Sequence, residues 1–592
     1  MNKVKELIKN ETLLFDGGMG TYFSVKEHLP GFGCELVNLS QPVLIGAIHR
    51  EYMEAGSRAI KTNTFAANRV IFQHDGEMVK RIIRSGMRIA VKAAEPFGAA
   101  VFADIGPVVG LYRKETIEEF KFIAGEFIKQ GAENFLFETL SDNDGIQEVA
   151  EFIREQVEDP FIIASFALLP EGYTRDGRFG EDLLRNTWET GCFDAVGLNC
   201  ICGVRQMKKL MDRMDLDGIP LSVMPNSGYP IVIDNRTFYD SDPIYFGKGL
   251  ARLAGYGIPI IGGCCGTTPR HIEAAKNLLD QPVDKKKKKT AKVFKPLQFS
   301  VSSPFWDKLA TGGKVIAVEL DPPENADLQR YLENAQEIQE SGADIMTIAD
   351  CPVARARMDS SLLACIVKDR IGLETIPHLT CRDRNLNATK ALLLGLSADG
   401  VRNVLVVTGD PIPTAERDEV KSVYQFNSRK MAAFIHSLGR TTLPQPFHIF
   451  GALNINAINF DVQLSIAKEK VENGMAGMLT QPVLTEKGLE NLKRARRELD
   501  CYILGGIIPI VSEKNARFME NEITGINISP EIIESYVGLD REESEDLAVR
   551  LSSEIAEKMK PYVDGYYLIT PFSRTGLIRR IIAEIKAHQN PG

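Results

Sequence analysis

Apolar runs of three to five residues recur along the chain, each ending in polar groups and followed by a stretch with helical spacing of its apolar positions. In the first half they fall at 13–15, 58–61, 100–103, 134–137, 161–164, 194–196, 221–223 and 258–261. In the second half they fall at 315–318, 344–347, 375–378, 403–407, 448–450, 476–479, 503–505 and 566–569. Short apolar runs alternating with amphipathic helices predict parallel sheets, and eight units in each half predict two closed (β/α)8 barrels, an α/β fold. The spacing of roughly 25 to 45 residues between the first-half runs is that of one strand plus one helix.

Between the halves, Lys285 to Lys289 form a run of like charge. Such a run repels itself and stays extended, so 284–296 reads as a linker between a barrel at 1–283 and a second at 297–592. A polybasic run also suits anionic lipid, but no second anchor accompanies it. At 592 residues the chain is too long for one core, and two domains of roughly 290 residues are expected. The composition, 44% hydrophobic and 25% charged, is that of a globular protein, and 49 glycines suit many tight strand-to-helix turns. A net charge of -9 argues against nucleic acid as partner. No apolar run reaches the length of a membrane span, and Met1-Asn2-Lys3-Val4-Lys5-Glu6 lacks the apolar stretch of a signal peptide. Ten cysteines without a paired framework fit a reducing cytoplasm. The expectation is a cytoplasmic enzyme whose oligomeric state the sequence leaves open.

Polar motifs sit at the predicted strand ends. In the first half they are Asp16-Gly17-Gly18-Met19-Gly20-Thr21, Thr62-Asn63-Thr64-Phe65, Glu138-Thr139, Asn199-Cys200, Pro225-Asn226 and Gly262-Gly263-Cys264-Cys265-Gly266. The C-terminal rim of a (β/α)8 barrel is its active-site face. Cys200, Cys264 and Cys265 together suit a catalytic zinc with one position left open, and a thiol substrate would complete it. Cys202 competes with Cys200 as a ligand, though strand alternation favours Cys200. Buried cysteines also serve as small hydrophobes, and a disulfide between neighbours is strained. Asp16 and Glu138 on the same rim suit an ammonium, while Asp16 taken alone equally suits a helix cap. In the second half Glu319, Thr347, His378, Thr408-Gly409-Asp410, Gln481 and Pro571 close the strands. Glu319 lies among apolar neighbours, and burial there would raise its pKa and suit it to general acid work.

Together the first-half motifs resemble the homocysteine S-methyltransferase family over about residues 5 to 280, with Gly262-Gly263-Cys264-Cys265-Gly266 the most specific of them. The resemblance implies zinc on Cys200, Cys264 and Cys265, homocysteine thiolate in the open position, and Asp16, Gly17 and Glu138 around its amino-acid end. The thiolate would take a methyl group from a donor that differs among family members, giving methionine.

The second half resembles methylenetetrahydrofolate reductase over about residues 300 to 590. The match rests on Val318-Glu319-Leu320-Asp321-Pro322-Pro323, Pro377-His378-Leu379-Thr380, Val407-Thr408-Gly409-Asp410, Leu479-Thr480-Gln481 and Gly506-Ile507-Ile508-Pro509. That resemblance implies FAD at Thr347, His378, Thr408, Gly409 and Asp410, NAD(P)H as electron donor and 5,10-methylenetetrahydrofolate as substrate. Glu319 would be the catalytic acid, Asp410 would favour a cationic intermediate, and Gln481 would hydrogen-bond the folate ring. The family pattern is broken at Gln463, where an acidic residue is usual and Asp461 is out of register. It is also broken at Ile510-Val511-Ser512-Glu513-Lys514, which offers no aromatic platform. The expected whole is a bifunctional one-carbon enzyme with no segment left for cobalamin. Sulfonium-dependent methyl transfer beside an independent folate reductase, or one barrel serving as a regulatory scaffold, are the alternatives.

Overall fold

A computed structural model describes residues 2–27, 33–110, 113–228, 230–233, 236–239, 241–281, 303–412, 420–523 and 525–589. The chain divides into two compact units, residues 1–294 and 295–592. The expected linker, 284–296, lies outside the described residues.

The first unit contains strands β1 (Leu13–Leu14), β2 (Ala59–Lys61), β3 (Ala100–Ile105), β4 (Asn134–Leu140), β5 (Phe161–Phe166), β6 (Ala195–Gly203) and β7 (Leu221–Asn226). A hairpin of β8 (Pro230–Ile233) and β9 (Arg236–Tyr239) precedes β10 (Ile260–Ile261). The parallel order is β1-β10-β7-β6-β5-β4-β3-β2, and a parallel bridge from Phe15 to Ala59 joins the two ends into a barrel. Strands such as β5 are buried at every residue because helices cover one face and the barrel interior the other. The interior is filled by Phe15, Phe102, Leu136, Phe161, Ile163 and Met224. Each such side chain contributes roughly 1.5–3 kcal/mol by leaving water. Helix Lys3–Asn10 packs Val4, Leu7 and Ile8 against this filling. Its cap residue Asn2 bonds Asp159, just before β5, so the helix plugs the N-terminal end of the barrel.

The second unit closes through β11 (Val315–Glu319), β12 (Ile345–Ile348), β13 (Thr375–Thr380), β14 (Asn403–Val407), β15 (His448–Leu453), β16 (Met475–Pro482), β17 (Tyr502–Ile507) and β18 (Gly565–Ile569), in that order. Helix Pro304–Ala310 closes its base, seating Phe305 and Leu309 against Val315, Phe450 and Leu504. With each barrel filled below by apolar side chains, the polar residues gather at the C-terminal strand ends. All sixteen expected strands are present; the β8–β9 hairpin is an addition the apolar pattern did not announce.

Candidate functional site

Several motifs expected just beyond the first barrel's strands lie inside them: Glu138 and Thr139 in β4, Asn199 and Cys200 in β6, Asn226 in β7. The pairing of β6 with β7 shifts register between Asn199 and Gly203, and Cys200 and Ile201 take left-handed φ values of 58° and 53°. Such a bulge re-aims a side chain, at the expense of backbone strain typical of functional positions. It carries Cys200 Sγ to 3.8 Å from Cys265 Sγ, and the sulfurs of Cys200, Cys264 and Cys265 all lie within 4.8 Å of one another. Two sulfurs held at about 2.3 Å by a tetrahedral ion stand about 3.8 Å apart, so the donor set fits zinc. Gly263 and Gly266 permit the turn: a Cβ on Gly263 would meet Thr267 Oγ1 at 2.3 Å, and Gly266 has φ of 76° with Tyr239 packed against it. Cys202 stands apart. It is buried, with Sγ against the Leu168 carbonyl at 3.2 Å, and burial pushes its thiol up to about 12.

Hydrogen bonding among the three thiols favours ionisation of Cys200 over the other two. Hydrogen bonds from Cys264 and Cys265 draw Cys200 down to about 3, and that thiolate in turn pushes both partners up, Cys264 to about 12. The sulfurs open on a cavity of about 520 Å³ that is also lined by Lys61, Asp104, Glu138 and Tyr239. Asp16 is buried beside it. Its Oδ2 accepts the Lys61 backbone N–H at 3.1 Å, so it does not cap the following helix, and its Oδ1 has no hydrogen-bond partner among the described residues. Burial raises Asp16 to about 7 despite the neighbouring Lys61. Asn199 organises the floor, donating to Glu138 Oε2 at 3.2 Å and to Thr139 Oγ1 at 2.7 Å while accepting from Ser165 and from the Thr139 N–H. Gly17 is packed so closely on Thr267 and Tyr52 that only its backbone is available to a ligand.

Lys61 is the residue the sequence did not single out. It ends β2, is 6% exposed, and places Nζ 3.7 Å from Asp16 Oδ1 and 3.8 Å from Glu138 Oε2. Burial disfavours its charge, but Glu138 and Asp16 outweigh that and hold it cationic. In the apolar pattern it reads only as the last residue of a strand; its neighbour Thr62, opening a polar motif, was the available signal.

On the second barrel's rim, Glu319 closes β11 opposite Thr347 of β12. Tyr567 of β18 donates its hydroxyl to Glu319 Oε2, and His378 Nε2 stands 3.6 Å from the same oxygen. Burial, then the charge of Asp321, raises Glu319 to about 8 against the pull of Tyr567 and Thr347. Burial also lowers His378 to about 4, so no imidazolium competes to ionise Glu319. Tyr567 went unnoticed in the sequence because it lies within an apolar strand; the barrel curvature, not the run, turns its hydroxyl to Glu319. Asp410 sits on the exposed loop after β14, its Oδ2 accepting the Val353 N–H at 2.9 Å and its carbonyl accepting from buried Arg382. Thr408 is exposed beside Gly409, whose φ is 93°. Gln481 lies where β16 and β17 shift register, a bulge pinned by Thr480 Oγ1 accepting the Gly506 N–H at 2.8 Å. His378 Nε2 and Thr570 Oγ1 are buried on this rim without hydrogen-bond partners among the described residues. Val353 and Phe572 stand exposed on it at φ of 55° and 50°. Orphaned buried polar atoms beside strained, exposed apolar residues mark a face that fits a large ring-bearing ligand.

No described helix is long and apolar enough to cross a membrane. Residues 13–279 match the family model described as homocysteine S-methyltransferase, and residues 305–585 the one described as methylenetetrahydrofolate reductase. The methionine synthases of Mycobacterium tuberculosis and Mycobacterium leprae are each 28% identical, over 291 and 295 residues, covering 45% of this chain and 24% of theirs. The chain thus spans about a quarter of the length of those curated relatives. Among solved structures, the Escherichia coli homocysteine methyltransferase MmuM aligns in its metallated form at 22% identity, covering 47% of this chain and 99% of that one with a TM-score of 0.38. Its apo form aligns at 24% identity, over 47% of this chain and 100% of that one, with a TM-score of 0.37. The chain is an enzyme that belongs to two families, a homocysteine S-methyltransferase domain at 13–279 joined to a methylenetetrahydrofolate reductase domain at 305–585.

Proposed function

We propose that the first barrel methylates homocysteine to methionine at a zinc site and that the second reduces 5,10-methylenetetrahydrofolate to 5-methyltetrahydrofolate with FAD and NAD(P)H. The observation that carries the first assignment is the set of three sulfurs converging from β6 and the β10 turn at the mouth of a cavity. Zinc held by Cys200, Cys264 and Cys265 supplies a Lewis acid that keeps an added thiol deprotonated at neutral pH. Asp16 and Glu138 receive the substrate ammonium, which fixes the direction from which its sulfur approaches. Asn199 holds Glu138 in place for this task. Closure of the cavity by Tyr239, which hydrogen-bonds Cys265, limits water around the sulfurs.

In the second barrel, FAD seated at Thr347, His378, Thr408, Gly409 and Asp410 supplies the hydride chemistry. Glu319 stays protonated at neutral pH because its pKa lies near 8, and gives its proton to a nitrogen of the bridged folate ring as that ring opens. Asp410, open on the rim, favours the cation so formed, and Gln481 holds the pterin. Both chemistries belong to a cytoplasmic enzyme of methionine supply.

A turnover assay tests the reading. Purified protein with zinc and homocysteine should form methionine from a methyl donor, while the same protein, yellow with flavin, should oxidise NADH or NADPH with methylenetetrahydrofolate. Methionine formation from none of the nitrogen- or sulfur-borne donors would remove the first assignment. Absence of flavin from a protein refolded with FAD would remove the second.

A further inference from the structure

The pocket beside the three sulfurs holds more charge than an ammonium site needs. Asp104 and Glu138 line it and Asp16 is buried beside it, and Asp16 Oδ1 and Asp104 Oδ1 have no hydrogen-bond partner among the described residues. Asp104 shares a hydrogen bond with Glu138, and burial followed by the Glu138 charge keeps Asp104 protonated. Two carboxylates, Asp16 and Glu138, then face one ammonium, Lys61.

That ammonium is under-used. Its separations of 3.7 Å from Asp16 and 3.8 Å from Glu138 are longer than hydrogen bonds, and among the described residues its one hydrogen bond runs to the Gly263 carbonyl at 3.4 Å. Lysine carries three donors, and a buried ammonium left without acceptors is costly. Lys61 also lines the cavity, the space a substrate would occupy on this reading.

We propose that Lys61 binds the α-carboxylate of the acceptor amino acid while Asp16 and Glu138 bind its α-ammonium, so that the pocket grips the whole zwitterion. The inference rests on the reading of this cavity as the homocysteine site. The two groups of an α-amino acid are separated by a single carbon, and here a cation stands 3.7 Å and 3.8 Å from two carboxylates. Substrate ammonium and Lys61 together balance Asp16 and Glu138, and the substrate carboxylate completes the donors of Lys61. The arrangement selects free α-amino acids with a side-chain thiol against simple aminothiols. Lys61 is thereby a specificity residue, and its charge-assisted bond should be worth tenfold or more in affinity.

The test is calorimetric binding of homocysteine and of 3-mercaptopropylamine, its analogue without the carboxylate, to the zinc-loaded full chain. The unaltered protein should bind homocysteine at least tenfold more tightly. Lys61→Met should lose most of that ratio by weakening homocysteine while leaving the amine near its original affinity, and Lys61→Arg should keep the ratio, with zinc content unchanged in both. Equal binding of the two ligands by the unaltered protein overturns the clamp alone, and needs no variant to fold. An equal loss for both ligands in Lys61→Met also overturns it, since Lys61 then only supports the carboxylates. Failure of the unaltered, zinc-loaded protein to bind homocysteine at all overturns the site reading with it.

Discussion

Replacing Glu319 by Gln should stabilise the second barrel while disabling it. Glu319 is nearly buried, and its pKa stands at about 8 against an ordinary 4.5. A carboxyl held protonated in the fold but free to ionise when unfolded destabilises the fold as pH rises. The cost begins at the unfolded value and stops growing once the folded value is passed. For this shift it is about 3 kcal/mol at pH 7 and approaches about 5 kcal/mol above pH 8, with no cost below pH 4. Gln fills almost the same volume, can still accept from Tyr567, and carries no ionisation. Urea unfolding of the full chain with FAD present, followed by flavin fluorescence at several pH values, reads the difference. The variant should be more stable by a margin that widens from pH 5 to pH 8. Folate turnover should fall about a hundredfold or more while flavin reduction persists, as general acid catalysis requires. A variant less stable than the parent at pH 8, or a margin that ignores pH, would refute the burial argument for Glu319.

Tyr567→Phe removes the hydroxyl that favours the Glu319 carboxylate, so Glu319 should hold its proton to higher pH. With a charge-assisted bond of about 1.5–3 kcal/mol, the alkaline limb of kcat/KM for folate reduction should move up by about one to two pH units; a limb that stays put or moves down contradicts that role. For methyl transfer, zinc activates the acceptor thiol and does nothing for the leaving group. A sulfonium such as S-methylmethionine should therefore outpace methyltetrahydrofolate in methionine formation by the first barrel, and rapid cobalamin-free turnover with the folate would defeat that argument.

The fold was legible because barrel strands are buried on both faces, which leaves a short apolar run, as at 161–164 or 404–407. Strand ends were less legible. β4 and β6 continue through Glu138-Thr139 and Asn199-Cys200, where side chains turn from packing to the cavity and the apolar signal stops before the strand does. The three cysteines and the carboxylates Asp16 and Glu138 could be found because their residue types are rare together. The groups that tune them were hidden by the same logic. Lys61 ends an apolar strand and Tyr567 lies within one, and their contacts to Asp16, Glu138 and Glu319 span 45, 77 and 248 positions along the chain. No local spacing encodes such a meeting. The hairpin of β8 and β9 was missed although Ile231-Val232-Ile233 is as long a run as several in the barrel, because eight other runs already accounted for the barrel strands.

The central claim is that Cys200, Cys264 and Cys265 hold a zinc whose fourth position belongs to the substrate sulfur. Zinc X-ray absorption of the purified full chain, without and with homocysteine, counts those sulfurs directly. The account predicts one zinc per chain with three sulfurs at about 2.3 Å and one lighter ligand, becoming four sulfurs when homocysteine is added. Substoichiometric zinc after reconstitution, or a sulfur count that homocysteine leaves unchanged, would contradict it.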